Sequence, residues 1–252
     1  KRKNILITGA SSGLGNGMAL EFAKLGCNLA LCARRMENLD ELRSKILDIN
    51  SKIEVFIRPL DVNDTLAVRE VFMAFQEDFK SINEKIDRVI VNAGIGKGGA
   101  LGTGYTKQNL QTASTNFIGA INQFEAALEI FRAQNHGHLV AISSMSAFRG
   151  FRGALTVYAA TKAALASLAE GVRIDVLKTP IKVSTIYPGY IHSEMNDHIG
   201  KPLPFIITLD KGSKLLVQAI EKEKNKSYVP WYPWYFFKFL FPLLSLKSLR
   251  KF

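Results

Sequence analysis

The sequence predicts an α/β fold, a single domain built on a doubly wound parallel sheet with helices on both faces. Three observations carry this. Short, continuously apolar runs recur along the chain and alternate with amphipathic segments of helical period. Such runs suit strands buried on both faces, and the alternation suits right-handed βαβ crossovers. A Gly/Ser-rich stretch, Thr8–Gly15, joins the first run to the first helical pattern. The chain has 252 residues, 47% hydrophobic and 22% charged, which suits one large core and excludes disorder. It shows no internal repeat or low-complexity linker, and 1–252 is read as one domain.

The predicted strands are Ile5–Ile7, Asn28–Cys32, Glu54–Ile57, Val89–Val91, His138–Ile142 and Lys182–Ile186. Between them, helical patterns cover 14–26, 37–49, 64–80, 106–134 and 153–178. After Gly189 the character changes. Residues 190–208 carry Pro202 and Pro204 in a mixed polar and apolar stretch, which predicts a loop with short helices. Ile191, Met195, Leu203, Phe205 and Ile206 make it a candidate substrate loop for an apolar ligand. Residues 210–224 read as helix. Residues 228–241 hold nine aromatics, and Pro230, Pro233 and Pro242 are expected to break up any long helix there.

The formal net charge is +11. Residues 222–252 hold seven Lys/Arg against one Glu, so +6 of the +11 sits in this stretch, which includes the aromatic tail, 228–252. That mixture fits either a peripheral contact with a membrane interface or packing on the substrate loop or a second subunit. Prolines and Lys238 argue against a membrane span. Nucleic acid is not an expected partner, because no recognised nucleic-acid motif accompanies the charge. Cys27 and Cys32 match neither a redox pair nor a zinc site, so buried thiols in a reducing compartment are expected, with no metal. The chain opens directly into its first strand, which points to a cytoplasmic location.

Thr8–Gly15 follows a strand and precedes a helix. Glycines there let the backbone turn tightly against a pyrophosphate, and the helix N-terminus supplies N–H groups and a positive dipole end. Gly9, Ser11, Ser12, Gly13, Leu14 and Gly15 are therefore candidate cofactor contacts, in a G-x-x-x-G-x-G spacing. The second strand runs into Ala33-Arg34-Arg35, without the acid that binds a ribose 2′-OH. Paired arginines suit a 2′-phosphate, so NADP(H) is preferred over NAD(H). Asp61-Val62 after the third strand suits an adenine amino group, with helix capping by Asp61 as the competing reading. Asn92-Ala93-Gly94 closes the fourth strand with small residues that allow close approach of a cofactor.

Tyr158 and Lys162 stand at i and i+4 on a predicted helix, on one face. A phenol is a poor proton donor at neutral pH, and a nearby ammonium is expected to lower its pKa toward the working range. Tyr158 would then give a proton to a carbonyl oxygen as hydride reaches the carbon. Ser144, at the end of the fifth strand, would hydrogen-bond the same oxygen.

Taken in order, Thr8-Gly9-x-x-x-Gly13-x-Gly15, Asn92-Ala93-Gly94, Asn116, Ser143-Ser144, Tyr158-x-x-x-Lys162 and Pro188-Gly189 resemble the short-chain dehydrogenase/reductase family across residues 4–195. The resemblance implies a Rossmann fold and an NADP(H)-dependent oxidoreductase interconverting a carbonyl and an alcohol. It also implies Tyr158 as acid/base, Lys162 on the nicotinamide ribose and Asn116 supporting a water relay to Lys162. Pro188, Gly189 and Ile191 would border the nicotinamide, and Ser193 stands where the family often has Thr. A small apolar carbonyl or alcohol substrate and a homodimer or homotetramer are expected. The alternatives are a non-catalytic NADP(H)-binding module and a membrane or protein interaction module.

Two departures stand out. Ser144 precedes Tyr158 by fourteen positions where the family has thirteen, and Ser146, at twelve, is the alternative serine. The chain also shows Tyr228-Val229-Pro230-Trp231 and a basic aromatic tail in place of a short Gly-rich final strand.

Overall fold

The computed structural model describes residues 2–195 and 203–249. Seven parallel strands form one sheet in the order β3-β2-β1-β4-β5-β6-β7. They are β1 (Asn4–Thr8), β2 (Asn28–Ala33), β3 (Val55–Pro59), β4 (Arg88–Val91), β5 (Gly137–Ile142), β6 (Ile181–Pro188) and β7 (Lys226–Val229). The helices are α1 (Gly13–Lys24), α2 (Met36–Ile49), α3 (Thr65–Ser81), α4 (Thr106–Ala113), α5 (Gly119–Gln134), α6 (Leu155–Asp175), α7 (Leu209–Glu221), α8 (Trp231–Leu243) and α9 (Leu246–Leu249).

Alternation along each strand builds two cores. Ile5, Ile7, Leu29, Leu31, Ile90, Val140 and Ile142 face one side, with α1, α2 and α7. Leu6, Ala30, Cys32, Val89, Val91, Leu139 and Ala141 face the other, with α3, α5 and α6. Both cysteines are buried thiols, as expected. Gly17 lets α1 lie directly on α7, because a Cβ there would come within 1.9 Å of Ser213 Oγ.

One buried polar network ties the far end of the sheet together. Arg88, 1% exposed, donates from Nε to His138 Nδ1 at 2.9 Å and pairs with Glu221 and Glu223. His138 in turn meets Ser184 Oγ at 2.8 Å. Burial, with the Arg88 and Arg2 charges, holds the imidazole well below its ordinary pKa.

Three expectations need correction. The C-terminal region does add a strand. Lys226–Val229 pairs parallel with β6 from Thr185 to Pro188, and only its short length and flanking lysines hid it. The expected break by proline is met at one point: Tyr232, directly before Pro233, has non-helical φ/ψ of −99° and 134° and kinks α8, while Pro242 lies near its end and the residues between stay helical. The pattern over 106–134 is two helices joined by a π turn at Ser114–Ile118. Between Gly189 and α7 the described residues form no helix, and an isolated bridge pairs Ile191 with Ile207. Residues 196–202, within the expected substrate loop, lie outside the described residues.

Candidate active site

The strand order reverses between β1 and β4, and the loops leaving their C-terminal ends form the crevice where open parallel sheets bind ligands. Thr8 closes β1 and Asn92 follows β4. Asn92 Nδ2 donates to the carbonyls of Thr8 and Gly9 at 3.0 and 3.2 Å. The backbone N–H groups of Asn92 and Ala93 both donate to Thr8 Oγ1 at 3.1 Å. The sequence reading treated Asn92 as a cofactor contact and gave Thr8 no role. Here the two residues pin the glycine loop to the neighbouring strand.

Gly9 and Gly13 take left-handed φ values of 63° and 53°, which a side chain resists. At Gly15 a Cβ would stand 2.3 Å from the Gly9 carbonyl oxygen, so the loop folds against its own helix only with glycine there. Ser12 is the extended residue before α1 and makes no side-chain cap. Its Oγ instead accepts from Arg35 at 2.7 Å. The first-turn N–H groups of α1 thus point outward without a capping side chain, beside Ser11 and Leu14.

Arg34 and Arg35 are exposed directly after β2, and Arg35 also reaches Glu194 at 3.3 Å. A cavity of about 280 Å³ opens here, lined by Ser11, Ser12, Gly13, Asn38, Ser193 and Glu194 among others. Its lining does not include Tyr158. Asp61 is exposed and holds Asn63 through its Oδ1, at 3.0 Å to the backbone N–H and 2.8 Å to Nδ2. Asp64, not Asp61, caps α3 by accepting from Ala67 N at 3.0 Å, so the capping reading of Asp61 falls away. Val62 is buried, and its carbonyl accepts from Asn122 Nδ2 at 3.0 Å.

At the other end, α6 is pinned to β5 by Ser143 Oγ donating to the Lys162 carbonyl at 2.8 Å. This sets Tyr158 and Lys162 over the strand ends. Ser144 caps the short turn Met145–Phe148 by accepting from Ser146 N at 3.1 Å, and its side chain lies near enough to Tyr158 to favour the ionised phenol. Ser146 Oγ is buried and has no hydrogen-bond partner among the described residues. The geometry therefore joins Ser144, and not Ser146, to the tyrosine.

Lys162 is 4% exposed and donates to the Ile142 carbonyl at 2.9 Å. Burial pushes its ammonium down to about 8. The Tyr158 phenol is raised by burial, with Ser144 opposing and nearby Tyr190 reinforcing. The expected lowering of Tyr158 by Lys162 is thus not met in this structure. The ammonium is bound to a carbonyl and stands 5.8 Å from the phenol ring centroid.

Asn116 is fully buried in the π turn. Its side chain exchanges two 2.8 Å hydrogen bonds with the backbone of Ile95 and reaches Thr161 Oγ1 at 3.2 Å. It holds the loop after Gly94 against α6. A Cβ at Gly94 would sit 3.2 Å from Asn116 Oδ1 and 3.3 Å from Lys162 Nζ, so a side chain here would crowd both groups.

Pro188 ends β6, and Gly189 is covered by the Trp234 indole, whose Nε1 would lie 2.1 Å from a Cβ there. Ile191 is buried against Gly212, and Ser193 lies beside Gly13. Met195 packs on Gly96 next to the Tyr158 ring. Tyr190 and Phe205 meet Trp234 edge-on at 5.6 and 6.3 Å. Sequence reasoning placed Trp234 in the tail and gave Tyr190 no role. Both line the same aromatic wall, and only the return of the chain through β7 brings Trp234 there.

Comparisons with known proteins agree with this geometry. A family model described as short chain dehydrogenase matches residues 3–203. An uncharacterized oxidoreductase of Mycobacterium tuberculosis is 44% identical over 253 residues, covering 100% of this chain and 97% of that protein. An NADP-dependent 3-hydroxy acid dehydrogenase of Schizosaccharomyces pombe is 34% identical over 202 residues, 77% of this chain and 73% of that one. Among solved structures, a short-chain dehydrogenase from Sphingobium yanoikuyae in complex with NADPH superposes with a TM-score of 0.81. It is 24% identical, with 94% of this chain and 92% of that chain covered. The fold, the family-model match and the relatives together place this chain in the short-chain dehydrogenase/reductase family of oxidoreductases.

Proposed function

We propose that the protein is an NADP(H)-dependent oxidoreductase that interconverts a carbonyl and an alcohol on an apolar substrate. The observation that carries the reading is the gathering of Ser144, Tyr158 and the buried Lys162 at the strand ends on the same side as the glycine loop, with Ser144 favouring the ionised phenol. The residues fit a dinucleotide. Gly9, Gly13 and Gly15 form a cradle that side chains would fill, and α1 presents uncapped N–H groups to a pyrophosphate. Arg34 and Arg35 would take a 2′-phosphate, with Ser11, Ser12 and Leu14 on the loop and Asp61 and Val62 at the adenine. Asn92, Ala93, Gly94, Pro188, Gly189, Ile191 and Ser193 would line the path to Lys162. The arginines support NADP(H), whereas related folds occur with both NADPH and NAD+. The yeast relative's name supports the same choice.

The bound cofactor supplies or accepts hydride at the substrate carbon. The chain's own residues handle the oxygen. Tyr158 gives its hydroxyl proton to the carbonyl oxygen in reduction and takes it back in oxidation. Ser144 donates a hydrogen bond to that oxygen and stabilises developing charge. Lys162 would hold the ribose of the bound cofactor, and its ammonium near the phenol would favour the phenolate. Asn116 acts as a positioning residue through Ile95 and Thr161, and would support a water relay to Lys162 beside Gly94. Met195, Tyr190, Trp234 and Phe205 give the mouth its apolar lining.

The test is Tyr158→Phe assayed by NADPH oxidation over a panel of aldehydes and ketones. Turnover falls by about 10²-fold or more on the scale of general acid/base catalysis, with NADPH binding retained. Unchanged turnover on every substrate that the unmodified enzyme accepts refutes the assignment. NADPH binding without turnover on any substrate favours a sensing module instead.

A further inference from the structure

The helix α8 is apolar on two opposite faces, and the fold covers only one. Trp234, Phe237 and Phe241, at i, i+3 and i+7, pack onto Tyr187, Tyr190 and the turn at Met145–Phe148. Phe236, Phe239, Leu240 and Leu243, at i, i+3, i+4 and i+7, form a second stripe whose members are 44–81% exposed. Trp231 and Tyr232 extend it at one end and Leu246 at the other, all more than half exposed. Seven large apolar side chains within sixteen residues form a contiguous surface of the kind that marks an interaction site.

We infer that this outward face of α8 and α9 docks on an anionic lipid surface. The charge selects the occupant. No Asp or Glu follows Glu223, whereas Lys224, Lys226, Lys238, Lys247, Arg250 and Lys251 do. Of these, Lys226 pairs with Glu170, Lys238 lies over the rings of Tyr228, Tyr235 and Phe239, and Lys247 is exposed on α9. A tail whose sequence carries an excess of cations complements anionic headgroups, and a second copy of this chain brings the same excess to a shared interface. Aromatics with an amphipathic ring, such as Trp231 and Tyr232, suit the headgroup boundary. Among the described residues no helix is long and apolar enough to cross a membrane, and α8, at 13 residues, is suited to lie in the interface plane. Because the inner face of the same helix seats Trp234 on Gly189, docking brings the mouth of the candidate site beside the bilayer.

Flotation with vesicles of phosphatidylcholine and phosphatidylserine at 7:3, against phosphatidylcholine alone, tests this on the full chain. The protein floats with the anionic vesicles and at least tenfold less with the neutral ones, and salt at 0.5 M releases it. Leu243→Glu/Leu246→Glu and, separately, Lys247→Glu each reduce binding at least fivefold. Both residues of the double variant are about 80% exposed, so circular dichroism and NADPH binding stay unchanged. Trp231 emission shifts to the blue on anionic vesicles, an effect that Trp231→Phe removes. The inference is overturned by no flotation, by flotation indifferent to both variants, or by a dimer in light scattering that the double variant splits while vesicles bind nothing. None of these readouts needs turnover, so the inference fails or stands apart from the catalytic assignment.

Discussion

Gly15→Ala is expected to damage the protein where Gly171→Ala improves it, although both place alanine in a helix. A helix interior favours alanine over glycine by roughly 1 kcal/mol, and at Gly171 nothing lies within 4 Å of the added methyl. Gly171→Ala should therefore raise stability by nearly that amount, a shift of about 2–4 °C in Tm for a chain of this size. At Gly15 the methyl meets the Gly9 carbonyl oxygen at 2.3 Å and the Gly9 carbonyl carbon at 2.9 Å. These are backbone atoms in a loop that Asn92 and Thr8 hold in place, so no flexible side chain can yield. Overpacking of this kind costs about 1–3 kcal/mol, which exceeds the propensity gain. The relief available is a displacement of Gly9, which also opens the cradle. Thermal unfolding with and without NADPH, together with titration of NADPH fluorescence, reads both effects. Gly15→Ala should lower Tm and weaken NADPH at least tenfold, while Gly171→Ala raises Tm and leaves NADPH affinity unchanged. If Gly15→Ala keeps both its Tm and its NADPH affinity, the loop is not the rigid cradle described, and the cofactor assignment loses its footing.

Replacing Arg34 and Arg35 together by alanine should weaken NADPH by tenfold or more and change NADH little, as read by titration with each. Equal affinity for the two cofactors in the unmodified protein refutes the role of the arginines. Lys162 carries a pH signature. Burial lowers its folded pKa from 10.5 to about 8, so between those values the unfolded chain holds the proton and the folded chain does not. The burial penalty is present in full below pH 8 and is relieved as pH rises toward 10.5, by about 3 kcal/mol. Lys162→Met should therefore stabilise the apo protein more at pH 7 than at pH 10.5 in denaturant unfolding. A constant difference across that range contradicts the assignment of a buried charge.

The sequence by itself determined six of the seven strands and the two-sided core, and it named the candidate site. Ile5–Ile7 or Val89–Val91 cannot be exposed, and a run of that length has few places to go but a covered sheet. The glycines of the loop and the i, i+4 pair of Tyr158 and Lys162 are local patterns, readable wherever chemistry depends on near neighbours in the chain. What only the tertiary structure decided depends on distant partners. Ser144 and Ser146 are two residues apart, and the register of α6 on β5, set by Ser143 and Lys162, selects the one that meets Tyr158. The charge state of that pair also came from packing. Burial and the Ile142 carbonyl outweigh the attraction that sequence spacing suggested, so the phenol is raised and the ammonium lowered. The tail shows the limit most clearly. Its aromatic run has no single apolar stripe to read, because α8 is apolar on both faces. Only β7, returning the chain to the sheet edge beside β6, decides that Trp234 covers Gly189 while Phe236 and Leu243 face outward.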